Sequence, residues 1–245
     1  MIREHLAGSG AGGERDFRWR GGEISRLEGF SDAVFAFALT LLVVSLEVPK
    51  TFNELMQAMR GFAAFGVCFA FLAQAWYQHF RYFRRYGLQT PWVVFLNCLL
   101  LFFVLFYVYP LKFLYFGLFA SSWSITAADA RILFVVYGGG FAAVFLVYAL
   151  LYLHAWRLRD ELGLNEMETL RTRRGLADHS AMATMGLASA LLALVLPSRM
   201  VGLAGWFYSL LGLYFTFSGR FFGKRERMVQ TAINGGVGPS GEAAQ

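Results

Sequence analysis

The sequence predicts an all-α integral membrane protein with six membrane-crossing helices. Three observations carry that prediction: the composition, the count of long apolar stretches, and the placement of the basic residues. Of 245 residues, 57% are hydrophobic, 18% aromatic and only 16% charged, whereas soluble domains run about 45–50% apolar and about 25% charged. Such a chain cannot cover its own surface with polar groups, and a bilayer is the solvent that suits it. Disorder is excluded on the same ground, since it needs low hydrophobicity with high net charge.

Six stretches reach roughly the 20 apolar residues that a spanning helix needs. They are Phe30–Val48, Leu55–Tyr77, Pro91–Tyr109, Ile132–Ala155, Leu176–Leu196 and Val201–Phe222. Pro49 and Pro197 stop the first and fifth, because proline cannot continue a helical hydrogen-bond ladder. Thr90-Pro91 reads as an N-cap with proline at the first helical position of the third. Thr126-Ala-Ala-Asp129 resembles a capping box that opens the fourth. Gly138-Gly139-Gly140, within the fourth, could break a helix but reads more readily as a surface for close helix packing.

Seventeen of the 22 Lys and Arg residues fall before the first span, between the second and third, between the fourth and fifth, or at and beyond the end of the sixth. The bias of basic residues toward the cytoplasmic side then predicts that both termini are cytoplasmic. Residues 1–29 form a cytoplasmic segment without the apolar core of a signal peptide. Residues 30–222 form one membrane domain, and 223–245 a cytoplasmic tail that reads as disordered. The net charge of +6 is a topology signal, so no nucleic-acid partner is expected. Cys68 and Cys98 lie in apolar runs and read as small packing residues.

Polar and ionisable groups inside a bilayer are costly, which makes each a functional candidate. Asp32 lies two residues inside the first span, and Ser31 precedes it. Trp76 and His79, three apart, share a helix face at the end of the second span. Asn97 lies in the first half of the third. All belong to the cytoplasmic level, so contacts from Asp32 to His79 or Trp76, with Asn97 joining, are geometrically open. Further along the first span, Phe37, Leu41, Val44 and Val48 recur on one stripe at 100° per residue, flanked by Thr40. Glu47 marks the extracellular end beside Pro49.

The block Arg26-x-x-x-Phe30-Ser31-Asp32, followed by an apolar helix that ends at Pro49, resembles the first-span signature of the transmembrane-protein-175 family of potassium channels. Trp76-x-x-His79 is similar to that family's second-span motif, and Asn97 with Pro110 to its third. The resemblance implies a bacterial plasma-membrane homotetramer of six-span subunits, with the first helices lining a central pore. It assigns Arg26, Phe30, Ser31, Asp32, Trp76, His79 and Asn97 to a network that locks the first span in place. Relatives carry isoleucine or leucine five residues after the aspartate, where this chain has Phe37, and their doubled histidine is here His79-Phe80.

On this reading Phe37, Thr40, Leu41, Val44 and Val48 line the pore, with an apolar constriction that gates by dewetting. Glu47 stands at the pore mouth and a potassium ion passes transiently near Thr40. The expected partners are potassium ions, membrane lipids and further copies of the chain, with no cofactor. No Thr-Val-Gly-Tyr-Gly sequence is present, so a ring-of-carbonyls filter is not expected. The alternative is a proton-coupled or proton-conducting transporter using Asp32 and His79. An enzyme is not expected: His5, His79, His154 and His179 are the only histidines, and neither His-Glu-x-x-His nor Gly-x-Ser-x-Gly occurs.

Overall fold

The computed structural model describes residues 17–44, 50–120 and 126–235. Among them every regular element is helical. The α-helices are α1 (Arg26–Val44), α2 (Phe52–Tyr86), α3 (Pro91–Ala120), α4 (Ala127–Arg157), α5 (Glu166–Val195), α6 (Leu203–Trp206) and α7 (Leu210–Gly235), with 3-10 turns at Ser198–Met200 and Phe207–Ser209.

The helix starts follow from side-chain caps that take up otherwise unpaired backbone N–H groups. Thr51 accepts from the Glu54 amide, and Thr126 with Asp129 forms the expected reciprocal box. Asn165 and Glu168 form a second such box that opens α5. Gly87, with φ of 61°, closes α2 in the left-handed conformation that glycine adopts without steric cost.

Segments Pro91–Phe113, Ala128–Arg157 and Glu166–Val195 are long and apolar enough to cross a membrane by length and composition. The other three expected crossings fall on less uniform helices. Arg60, Gln74 and Gln78 interrupt the apolar sequence of α2, and α1 is described only to Val44, with 45–48 of the expected first span outside the described residues. The stretch Val201–Phe222 is not one helix, since its first part is broken into 3-10 and single α turns. Gly202 and Gly205 weaken helical continuity there, and Ser189, fully buried on α5, donates to the Ala204 carbonyl at 2.8 Å.

Four further details differ from the sequence reading. Pro110 lies inside α3, which runs on to Ala120 rather than ending at Tyr109. Residues 223–235, expected in the tail, continue α7 as helix, while 236–245 lie outside the described residues. Residues 26–29, expected before the membrane domain, open α1. Cys98 is exposed, whereas Cys68 is buried as expected.

The core is aromatic. Tyr82, Tyr86, Tyr107, Tyr148, Tyr152 and Phe83 are all fully buried, and the hydroxyls of Tyr82, Tyr86 and Tyr148 link helices. Tyr82 donates to the Leu151 carbonyl at 3.1 Å and Tyr148 to the Ala75 carbonyl at 2.6 Å, tying α2 to α4. Of the glycine run in α4, Gly138 and Gly140 pack closely as the sequence suggested, against α5 and against Tyr107 of α3, while Gly139 faces open space. A Cβ on Gly138 would stand 2.6 Å from the Gly186 carbonyl oxygen, and one on Gly186 would stand 2.7 Å from that of Gly138. The α4 and α5 backbones therefore touch.

Candidate functional site

One face of α1 is held by the rest of the chain and the other is bare. Ser31, Phe35, Ala38 and Leu42 are buried at spacings of four, three and four, the period of a helix face. On the opposite side Phe30, Ala33, Phe37 and Thr40 are exposed. Phe30 and Phe37 are 57% and 56% exposed, too much for two aromatic rings to be core residues of this chain.

A polar seam fixes the buried face, and its hydrogen bonds can be oriented from chemistry alone. The Ser31 hydroxyl donates to the Leu27 carbonyl at 2.8 Å, so toward Asn97 it must accept. The Asn97 amide nitrogen donates to Ser31 Oγ at 2.9 Å, which turns the amide oxygen to His79. His79 Nε2, 2.8 Å from that oxygen, therefore carries a proton. All three residues are buried. The His79 ring also packs on Phe83 at 4.5 Å and edge-on to Phe35 at 5.8 Å. One side chain each from α1, α2 and α3 thus meets in a seam where every hydrogen bond has a partner.

Asp32 takes the other route left open by depth. Trp76 Nε1 donates to its carboxylate at 2.8 Å, while His79 belongs to Asn97. Trp76 stacks on Phe80 at 5.9 Å, and the Arg84 guanidinium lies 5.6 Å above Phe80. Among the described residues of the single chain, Arg26 and Phe30 make no hydrogen bond or ion pair with this seam. Both are exposed on α1, because the helix rotation that turns Ser31 inward turns them out. Leu41 is half-buried, and the Thr40 hydroxyl donates to the Ala36 carbonyl at 2.9 Å, leaving its lone pairs outward. The Val44 side chain, Glu47 and Val48 lie outside the described residues.

A second tether escaped the sequence reading. Residues 17–22 run as a strap across the ends of α2 and α5. The Arg20 guanidinium meets the buried Glu168 carboxylate at 2.7 and 3.1 Å, and the Arg18 amide donates to the same carboxylate at 2.8 Å. The Arg20 and Gly21 amides both reach the Arg84 carbonyl, and Phe17 is buried against Tyr86. The signal was the alternation Phe17-Arg18-Trp19-Arg20, which has the period of an extended segment with one buried side.

The fold and the seam define a helical membrane protein whose first helix is clamped on one side and bare on the other. A family model described as the endosomal/lysosomal potassium channel TMEM175 matches residues 26–107, the stretch that contains the whole seam. A potassium channel of Marivirga tractuosa is 37% identical over 229 residues, covering 86% of this chain and 93% of that protein. The crystal structure of a variant of the potassium channel MtTMEM175, bound to a nanobody fusion protein, is similar with a TM-score of 0.76 at 36% identity, over 87% of this chain and 99% of the other. A lysosomal potassium-selective channel TMEM175 homolog from Chamaesiphon minutus gives a TM-score of 0.51 at 27% identity, over 82% and 96%. The chain belongs to the TMEM175 family.

Proposed function

We propose that the chain is the subunit of a potassium-selective channel in a bacterial plasma membrane, and that four copies bring their α1 helices together around a central conduction path. The observation that carries this reading is the bare face of α1, where Phe30, Ala33, Phe37 and Thr40 find no cover among the described residues of their own chain. One helix cannot enclose water, so a path lined by α1 requires copies related by rotation. Residues 30–222 make up the membrane domain with six crossings, both termini are cytoplasmic, and lipid surrounds the outer helices.

Phe37, with Leu41, Val44 and Val48 beyond it, forms an apolar constriction that opens by movement of side chains and closes by dewetting. Thr40, one turn from Phe37, offers hydroxyl oxygen to a partly dehydrated potassium ion, and Glu47 concentrates cations at the outer mouth. A proton path through Asp32 and His79 has less support. The two groups have separate partners, and no hydrogen bond joins them.

Potassium flux from liposomes tests the proposal, with wild type and Phe37→Ala side by side and sodium as competitor. The expected result is cation-selective flux that rises in the variant. Equal flux in both removes Phe37 as the constriction. No flux in either, from a sample shown to be tetrameric, overturns conduction itself.

A further inference from the structure

Away from α1, the end of α4, the first part of α5 and the second half of α7 border a groove of about 530 Å³. Leu176 and Ala177 of α5 and Phe221 and Phe222 of α7 give it apolar walls, and Trp156 joins them from α4. Its charged side chains are Arg173 of α5 and Arg225 of α7, and among the described residues no carboxylate lines it.

The carboxylates closest in sequence are committed elsewhere. Glu226 turns to Arg171 and Arg174 at 3.6 and 3.4 Å. Asp178 pairs with Arg174 at 3.6 Å and accepts from the Tyr214 and Ser218 hydroxyls at 3.1 and 2.7 Å. Glu168 is held by Arg20 at 2.7 Å. One residue along a helix is a rotation of about 100°, so Arg173 stands off the side on which Arg174 meets Glu226, and Arg225 stands off the side of Glu226 itself. Both arginines are exposed, and neither makes a hydrogen bond or an ion pair among the described residues. The Arg225 guanidinium lies 4.5 Å over the Phe221 ring instead.

Depth sorts the same residues a second way. The apolar stretches of the fifth and sixth expected crossings have Leu176 and Phe222 as their ends at this side, and Arg173 and Arg225 each stand three residues beyond them. That is about 4.5 Å along a helix, the step from the edge of the hydrocarbon to the headgroups. Trp156 follows directly on Ala155, the end of the fourth crossing, at the level where tryptophan gathers. The groove is therefore cationic at headgroup height and apolar below it. Phe221, 54% exposed, keeps much of its surface open to a neighbour.

We propose that this groove binds an anionic phospholipid. The phosphate is held by Arg173 and Arg225, and the start of an acyl chain lies along Leu176, Ala177 and Phe221. Basic pockets between membrane helices take acidic headgroups on this ground. A zwitterionic lipid would bring a cation of its own to two guanidinium groups, and a soluble phosphate would leave the apolar walls uncovered. A second copy of the chain, with a net charge of +6, suits the two arginines less well. The site rests on the membrane placement of the helices and not on ion conduction, so binding is read without flux.

The test uses the full chain purified in a neutral detergent and follows its unfolding temperature. Dioctanoyl phosphatidylglycerol, dioctanoyl phosphatidylcholine and glycerol phosphate are each titrated at matched ionic strength. Saturable stabilisation is expected from phosphatidylglycerol, with less from phosphatidylcholine and none from glycerol phosphate. Arg173→Gln and Arg225→Gln are each expected to weaken the apparent affinity for phosphatidylglycerol roughly tenfold, the worth of one charge-assisted hydrogen bond. Arg220→Gln removes the same charge from an exposed position of α7 outside the groove and is expected to leave that affinity unchanged. Equal weakening by all three variants, or by none, would overturn the proposal, the first by reducing the site to diffuse charge. Equal stabilisation by phosphatidylcholine or by glycerol phosphate would overturn it too, since the ligand would then need no net charge or no chain. A change of oligomeric state in Arg173→Gln, with phosphatidylglycerol affinity intact, would assign the groove to a second copy instead.

Discussion

Asn97 joins three helices through one amide group. With Asn97→Leu, the Ser31 oxygen loses a donor and the His79 N–H loses its acceptor, both in a dry interior. A buried group left without its partner costs about 1–3 kcal/mol, so the unfolding temperature in detergent should fall clearly. Ser31→Ala added to Asn97→Leu should restore part of the loss, because one orphan disappears with it. A single variant as stable as wild type would mean that the seam contributes shape and no energy. The sequence exposed these residues well, since polar groups in apolar runs stand out. It did not expose their pairing. Depth alone left both His79 and Trp76 open to Asp32, and the choice was made by the rotation of α1 and α2 about their axes, which sets Arg26 and Phe30 outside the seam. A pattern of residue types along one helix does not contain that angle.

The closest packing between elements is that of α4 on α5, where a glycine on each side lets the backbones meet. Membrane helices associate through such close packing, because lipid tails are as apolar as leucine and supply little drive of their own. Gly186→Leu would place side-chain atoms where the Gly138 carbonyl now lies, and overpacking of this kind costs about 1–3 kcal/mol. Gly139 is the internal control. A Cβ there meets nothing within 4 Å, so Gly139→Leu should leave the unfolding temperature near that of wild type. If both variants unfold alike, the α4–α5 contact is not the sensitive one. The caps, Pro91 and Pro197 were legible because each acts within a few residues. The broken segment before α7 was not, since the Ser189 hydroxyl that satisfies it comes from another helix.

For the molecule as a whole, the bare face of α1 is the feature that a single chain leaves unfinished. If copies cover it, cysteines placed there must approach their counterparts in neighbouring subunits. Ala33→Cys in a Cys98→Ser background should give linked subunits with a bifunctional thiol reagent in membranes. Ala38→Cys, on the buried face, should not. Linking at both positions alike, or at neither in an oligomeric sample, would sink the arrangement proposed for α1. The proposed number of copies comes from family resemblance alone, because no residue pattern on one helix counts its neighbours.

The strap has a consequence for how the chain is made. Arg20 leaves the ribosome early, yet its carboxylate partner Glu168 follows 148 residues later. Until α5 has been synthesised, the segment ahead of α1 has no anchor on that side, and α1 must enter the membrane untethered at its leading end. The strap then closes behind it as a latch on the nearly finished bundle. A nascent chain halted after α4 would therefore hold residues 17–22 through α2 alone and be cut there by protease faster than one extended past Glu168.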